Sequence, residues 1–347
     1  MVLPSCARVP LPSVSVVIVT WNGRALLERF LPSVLATDYP DLEVVIAENA
    51  STDGTAQWLS ARHPGVVVVR HEENLLFAEG NNRAVPHARG EVVVFLNNDV
   101  EVPPGWLRPL AEAVSQEGVA AAQPKLLQMD RRTFEYAGAA GGFLDRYGFP
   151  FTRGRIFEAM EEDRGQYDDA RDVAWATGAA LAVRREAFVD AGGFDAAFGM
   201  HMEEIDLCWR LWRGGWRVRC EPASEVYHLG GASLPRGNAR KAYYNYRNGL
   251  VMLAKNLPRE DARRVLRARR ALDAVAAARA LAGGDLATAR AIRAARRDAA
   301  ARIAEAPPPP PGEPQPPLYR RSVVVDHFAR GVTRFSELPA EAFVAAP

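Results

Sequence analysis

The stretch from Glu91 to Asp99 reads "EVVVFLNND", five apolar residues that end on two amides and a carboxylate. A run this short and β-branched, without alternation, reads as a strand buried on both faces. A carboxylate at its end costs stability unless something binds it. Three similar runs precede it: "VSVVIVT" (14–20), "LEVVIAEN" (42–49) and "VVVVR" (66–70). Between them lie the helical patterns "RALLERFLPSVLA", "TAQWLSARH" and "FAEGNNRAVPHA". This alternation predicts an α/β fold with a Rossmann-like, mainly parallel sheet and helices on both faces. In such sheets ligands bind beyond the carboxyl ends of the strands. Three of the runs end in polar residues, Thr20-Trp21-Asn22, Glu48-Asn49 and Asn97-Asn98-Asp99, which are expected to converge on one crevice.

The chain of 347 residues is 48% hydrophobic and 24% charged, ordinary for a soluble globular protein. Its net charge of +1 gives no global case for nucleic acid as a partner. One local imbalance stands out: Pro258 to Glu305 holds 12 arginines against 6 acidic residues. Cys6, Cys208 and Cys220 are scattered and lack metal-site spacing, so a reduced, cytoplasmic setting is expected. The N-terminus has no basic start followed by an apolar core, and no signal peptide is expected. No apolar run approaches the ~20 residues of a membrane span.

Further along, residues 119–172 look less regular, with the glycine cluster "AGAAGGF" and the acidic stretch "EAMEEDRGQYDD". A strand is expected at 174–183, a helix start near Arg185, a helix over Glu203–Arg213 and a strand at 216–221. After Gly231, "RKAYYNYRNGLVMLAKNLP" looks helical. The Arg/Ala-rich 259–304 region reads as one or two helices broken at Gly283-Gly284, followed by the proline-rich "APPPPPGEPQPP" and a tail of some 30 residues.

The turn after the first strand, "TWNGRALL", has one glycine, and no Gly-Lys-Ser/Thr occurs, which disfavours dinucleotide-binding and P-loop folds. "AENASTDGT" is a turn and helix cap in its plain reading; in its functional one Glu48 faces a base or ribose. In "LNNDV", Asp99 with oxygen-bearing neighbours suits Mg²⁺ or Mn²⁺. "MHMEEIDLCWRL" sets Glu203, Glu204 and Asp206 in one helical turn. They are either charge at the dipole's positive end or a general base whose pKa its neighbours raise. His228 in "VYHLGG" closes a strand beside a glycine pair and is either structural or part of the metal site.

Taken in order, "SVVIVTWNG", "AENASTDGT", "ENLLFAEGNN", "FLNNDVEVPPGWL", the segment from Trp175 through "MHMEEIDLCWRLWRGGWRV", and "YHLGGAS" resemble the inverting family 2 glycosyltransferases. Among these the resemblance is to the rhamnosyltransferase-like branch of cell-wall and surface-polysaccharide synthesis, and covers roughly 13–255. It implies a GT-A fold, a nucleotide-diphosphate sugar donor (dTDP-rhamnose as first guess), a glycan or lipid-linked acceptor, and Mg²⁺ or Mn²⁺. It places Thr20, Trp21, Asn22, Glu48, Asn74, Phe77, Gly80, Asn81, Asn97, Asn98 and Arg247 around the donor, with Asn248 beside Arg247. Asp99 and His228 would hold the metal. Glu204 would be the base, with Glu203 or Asp206 able to share the role. Glu48 and Glu204 are each one methylene longer than the usual Asp, and Asn97 replaces the first acid of the metal motif.

The implied organisation is a lead (1–12), a GT-A domain (13–232), a helical extension (233–306), and a proline-rich linker and tail (307–347). The Arg-rich helices read first as a solvated hairpin packed on the domain. The alternative is a peripheral contact with anionic membrane at the inner face. Two rival functions are a nucleotidyltransferase, for which a basic glycine-rich loop is missing, and a catalytically degenerate glycan- or nucleotide-binding module.

Overall fold

The computed structural model describes residues 11–230, 238–305, 309–310 and 312–344. Most of the lead with Cys6, the end of "YHLGGAS", the expected boundary at 232/233 and part of the proline run lie outside the described residues.

Each of the four apolar runs is a strand. β1 (Val14–Thr20), β2 (Leu42–Glu48), β3 (Val67–Arg70) and β4 (Val92–Leu96) pair in parallel in the order β3-β2-β1-β4. Helices α1 (Arg24–Leu35), α2 (Thr55–Arg62) and α3 (Leu76–Ala84) connect them. Successive strand residues point to opposite faces, so two apolar layers form. Val16, Ile18, Ile46 and Val94 pack with Leu27 and Leu31 of α1 and Leu59 of α2. Val17, Val45 and Phe95 belong to the other layer, with Ala78 and Ala84 of α3.

The chain turns at Asn97–Asp99 into β5 (Val100–Glu101), then runs through α4 (Leu107–Ser115) into β6 (Val119–Gln128). A small sheet follows, made of β7 (Gly142–Asp145), β8 (Pro150–Thr152), β9 (Arg155–Ile156) and β10 (Ala159–Met160). Next come β11 (Arg171–Asp172), β12 (Ala180–Arg184), α5 (Arg185–Asp190), α6 (Glu203–Arg213) and β13 (Arg217–His228). The main sheet has the order β11-β13-β6-β12-β4-β1-β2-β3, with β5 paired to the end of β13. β12 runs antiparallel to both β4 and β6, while β6 and β13 are parallel, so this half of the sheet is mixed.

The expectation of irregular structure over 119–172 is corrected by β6 and the small sheet. "VAAAQPKLLQ" is poor in β-branched residues, and it is extended because β12 and β13 pair along its two edges. The strand expected at 174–183 starts only at Ala180, because the Thr177 hydroxyl accepts the Ala179 N–H (3.1 Å) in a local turn. The strand expected to end at 221 continues to His228, where β5 caps it through the pair His228–Val100. That pairing sets Asp99 beside His228.

Past the sheet, α7 (Ala239–Asn256), α8 (Arg259–Ala282) and α9 (Leu286–Glu305) pack on one another, with the break at Gly283-Gly284 as expected. The tail is docked rather than free. β14 (Leu318–Tyr319) pairs in parallel with β7, α10 (Val323–Arg330) follows, and the rings of Phe335 and Phe343 each lie 5.3 Å from that of Phe143. Aromatic burial of this kind outweighs the entropy of ordering the tail. Cys208 and Cys220 are buried free thiols. Among the described residues no helix is long and apolar enough to cross a membrane.

Candidate active site

The polar ends of β1, β2 and β4 meet as their sequence suggests. Asn98 Nδ2 donates to Thr20 Oγ1 (3.0 Å). A Cβ on Gly23 would stand 2.3 Å from that hydroxyl oxygen and 2.6 Å from the Asn98 amide, so only glycine lets the turn close here. Asn22 adopts a left-handed φ of 49°. Its Oδ1 accepts the Thr52 N–H (2.8 Å) and its own N–H donates to Ser51 Oγ (2.9 Å), binding the two loops together. Trp21 is left exposed at the rim.

Glu48 is fully buried, and Oε1 accepts the Ser51 N–H at 2.6 Å. Its Oε2 has no hydrogen-bond partner; Arg70 Nε stands 3.9 Å away. Asn49 donates to Asn74 Oδ1 (3.3 Å) and Leu76 O (3.1 Å), while its own Oδ1 stays open. Asn74, expected to face the donor, also accepts the Leu76 N–H (3.0 Å) and so shapes the turn into α3. Gly80 brings α3 against Asn49: a Cβ there would lie 3.2 Å from the Asn49 amide. Asn81 donates to Phe77 O (3.0 Å) and leaves Oδ1 unpaired. An open buried acceptor costs about 1–3 kcal/mol. Three along the β2–α3 edge therefore mark a place that a donor-bearing ligand would complete.

A second cluster sits where β4 turns into β5. Asp99 Oδ1 lies 3.0 Å from His228 Nε2, and Asn97 Nδ2 lies 3.4 Å from the same nitrogen. Behind the ring, Glu135 Oε2 stands 3.2 Å from His228 Nδ1, and all three ionisable groups are buried. Gly230, at φ +67°, leaves the room: a Cβ there would come within 2.8 Å of Glu135 Oε1. Burial works against the imidazolium, but the two carboxylates outweigh it and raise His228 to about 10. Glu135 is lowered in spite of its own burial by the same histidine. This excess of negative charge fits a bound cation, and a carboxylate behind a histidine is the usual support of a metal-ligating imidazole. Among the described residues no group of three or more metal-ligating side chains could hold an ion alone. The donor set thus suits a cation that takes its remaining ligands from water and phosphate oxygens.

The third cluster opens α6. His201 and Met202 both take left-handed backbone conformations, at φ 66° and 74°. Strain of this kind persists only where the surroundings over-determine it. Here Asn248 Nδ2 donates to the carbonyls of Phe198 (3.0 Å), Met200 (2.9 Å) and His201 (2.7 Å). Arg247 holds Asn248 Oδ1 (2.7 Å) and Phe198 O (2.8 Å). Arg247, expected beside the donor, spends its guanidinium on this loop.

Of the three acids, Asp206 is fully buried and accepts from Arg210 (2.8 Å), Lys255 (3.0 Å) and Asn256 (2.8 Å). Such a carboxylate anchors α6 to α7. Asp206→Ala is expected to cost about 3–5 kcal/mol by stranding its cationic partners, a loss measurable by urea unfolding. Glu203 and Glu204 differ from it: each keeps an unpaired Oε2. Burial pushes Glu204 up to about 7, and burial with the neighbouring Glu204 charge pushes Glu203 well above the ordinary carboxylate range. Gly178 lies between Phe77 and Glu204; a Cβ there would be 3.2 Å from the Phe77 ring and 3.6 Å from Glu204 Cβ.

Residues 15–190 match the family model described as glycosyl transferase family 2. The chain belongs to that family. This family 2 glycosyltransferase is 33% identical over 259 residues to an N-acetylglucosaminyl-diphospho-decaprenol L-rhamnosyltransferase of Mycobacterium tuberculosis, across 69% of this chain and 83% of that one. It is 32% identical over 251 residues to the O-antigen biosynthesis protein RfbC of Myxococcus xanthus, across 68% of this chain and 19% of that longer one. Its fold is GT-A. Solved structures that share it include GalNAc-T7 with UDP, GalNAc and Mn²⁺ (TM-score 0.54, 19% identity, 71% of this chain and 48% of that one). Another is the mannosyltransferase PcManGT of Pyrobaculum calidifontis with GDP-Man and Mn²⁺ (TM-score 0.50, 22% identity, 84% and 85%).

Glu135 and Gly178 carried no signal in the sequence of this glycosyltransferase. Glu135 lies 93 positions before His228, in a stretch without periodic pattern, and β6 alongside β13 is what brings the two together.

Proposed function

We propose that this glycosyltransferase moves a sugar, with rhamnose from dTDP-rhamnose as the first candidate, onto a hydroxyl of a lipid-linked glycan in surface-polysaccharide synthesis. The relative of 33% identity, whose name specifies a rhamnosyl transfer to a lipid diphosphate sugar, supports the donor and acceptor classes. The observation that carries the chemistry is Glu204, a half-buried carboxylate with a free oxygen and a pKa near neutrality at the mouth of α6.

Glu204 Oε2 would take the proton of the acceptor hydroxyl as its oxygen bonds to the anomeric carbon. The bond from that carbon to the diphosphate breaks on the opposite face, so the configuration inverts. Glu48 and Asn81 would accept hydrogen bonds from base and ribose, and exposed Trp21 offers a ring at the rim. Asp99 and His228 would hold Mg²⁺ or Mn²⁺, which when bound supplies positive charge against the departing diphosphate. Glu135 would keep the His228 ring oriented, and Asn248 with Arg247 would keep the strained loop in place so that Glu204 does not drift.

A base at about 7 must be ionised to act. The acceptor-limited rate should therefore fall about tenfold per pH unit below neutrality and level off above it. A pH profile of kcat/KM for the acceptor tests this; a rate flat from pH 5 to pH 8 would remove Glu204 from the role.

A further inference from the structure

Helices α7, α8 and α9 enclose an open groove of about 350 Å³. Its floor is apolar, with buried Leu250 and Leu266, and around it stand Arg270, Arg293, Arg296 and Arg297. Two other arginines of these helices have structural work: Arg269 donates to Tyr147 O and Gly148 O (3.1 and 3.2 Å), and Arg302 to Ala197 O (2.7 Å). Arg270, Arg293 and Arg296, by contrast, have no hydrogen bond or ion pair among the described residues. Arg297 pairs with Asp298 at 2.9 Å. Of the acids close by, Asp298 accepts from Tyr243 (2.9 Å), and buried Asp273, 3.5 Å from Arg269, has its charge offset by Arg269 and Arg296 together.

Four guanidinium groups, three of them without a hydrogen bond or close ion pair, crowd one apolar floor and repel each other. Their planar forks match phosphate oxygens, and the leucine floor matches hydrocarbon. A polar anion such as nucleic acid would leave that floor unused. The volume lies in the range of small-molecule sites. The groove is also tied to the site. Arg302 of α9 bonds Ala197 O, and Arg247 of α7 bonds the same carbonyl (3.2 Å), at the start of the loop that leads to Glu204.

We propose that this groove binds a phosphorylated amphiphile: the diphosphate and first lipid carbons of the lipid-linked acceptor, whose sugar end reaches Glu204. The ligand's identity rests on the acceptor class proposed above; the groove itself does not.

The test is a calorimetric titration of the full chain in EDTA, which keeps diphosphate off Asp99 and His228. The probes are farnesyl diphosphate, inorganic diphosphate and farnesol. Farnesyl diphosphate should bind, inorganic diphosphate more weakly, and farnesol not measurably. The double variant Arg293→Ala/Arg296→Ala should weaken farnesyl diphosphate at least about tenfold while nucleotide affinity with Mn²⁺ is unchanged. Arg270→Ala/Arg293→Ala gives a second variant should the first fold poorly. No binding of farnesyl diphosphate, or equal binding by wild type and both variants, would overturn the proposal. Flotation with phosphatidylcholine vesicles, with and without phosphatidylglycerol, separates the two sources of phosphate. Arginine-dependent flotation without farnesyl diphosphate binding would give the groove to membrane headgroups and overturn the acceptor assignment. Absence of glycosyl transfer with farnesyl diphosphate binding intact would sink the proposed reaction and leave the groove standing.

Discussion

Glu204→Gln is expected to lower glycosyl transfer by about 10²–10⁴-fold and to leave donor affinity as it is. The substitution keeps size and shape and removes only the ability to take a proton. Its neighbours sharpen the expectation. Asp206 is fully buried and held on both oxygens by Arg210, Lys255 and Asn256, so it is not open to an acceptor hydroxyl. Glu203 is buried, and burial with the neighbouring Glu204 charge holds its pKa well above the ordinary carboxylate range. Glu203→Gln should therefore keep transfer within about tenfold of wild type. Equal losses in the two glutamine variants would mean that the pair shares the proton. Single-turnover transfer and donor titration, measured on the same preparations, separate chemistry from binding.

Asp99→Ala is expected to remove metal-dependent donor binding, with a loss above about 100-fold, because Asp99 is the carboxylate at His228 Nε2 and, among the described residues, no group of three or more metal-ligating side chains stands ready to replace it. Titration of the nucleoside diphosphate with Mn²⁺ and again with EDTA reads this directly. Glu135→Gln should sit between wild type and Asp99→Ala, at about 10–100-fold weaker Mn²⁺ affinity, since it loosens the ring behind the ligand atom. Affinity that is metal-independent and unchanged in Asp99→Ala would leave the buried carboxylate at the end of β4 without a cation to explain it.

The parts of this molecule that could be read in the sequence are those with local causes. Strands β1 to β4 are continuous apolar runs, and α6 begins and ends where its acidic first turn and Gly214 place it. The convergence of Thr20, Asn98 and Asp99 follows from parallel strands that end at one edge. What could not be read depends on distant partners. β6 is extended through its two neighbours in the sheet, against the weak preference of its alanines. The family resemblance of "YYNYRN" puts Arg247 and Asn248 near the diphosphate or acceptor. In space they meet the carbonyls of residues 197, 198, 200 and 201, some fifty positions away. Asn74 likewise shapes a turn, with its Oδ1 accepting from Asn49 and from the Leu76 N–H. Unpaired buried atoms separated the two kinds better than residue type did: Glu48, Asn81 and Glu204 keep an open oxygen, and Asp206 does not.

The proposed transfer is tested most directly by incubating the chain with dTDP-rhamnose, Mn²⁺ and a short-chain lipid-diphosphate N-acetylglucosamine acceptor, and examining the product by mass spectrometry and NMR. An acceptor heavier by one sugar, linked with inverted anomeric configuration, is expected from the wild type, and no product from Glu204→Gln. A retained configuration, or equal product from that variant, would contradict it. So would the absence of product with any nucleotide sugar that binds, which would turn the site into a binding module on a GT-A frame.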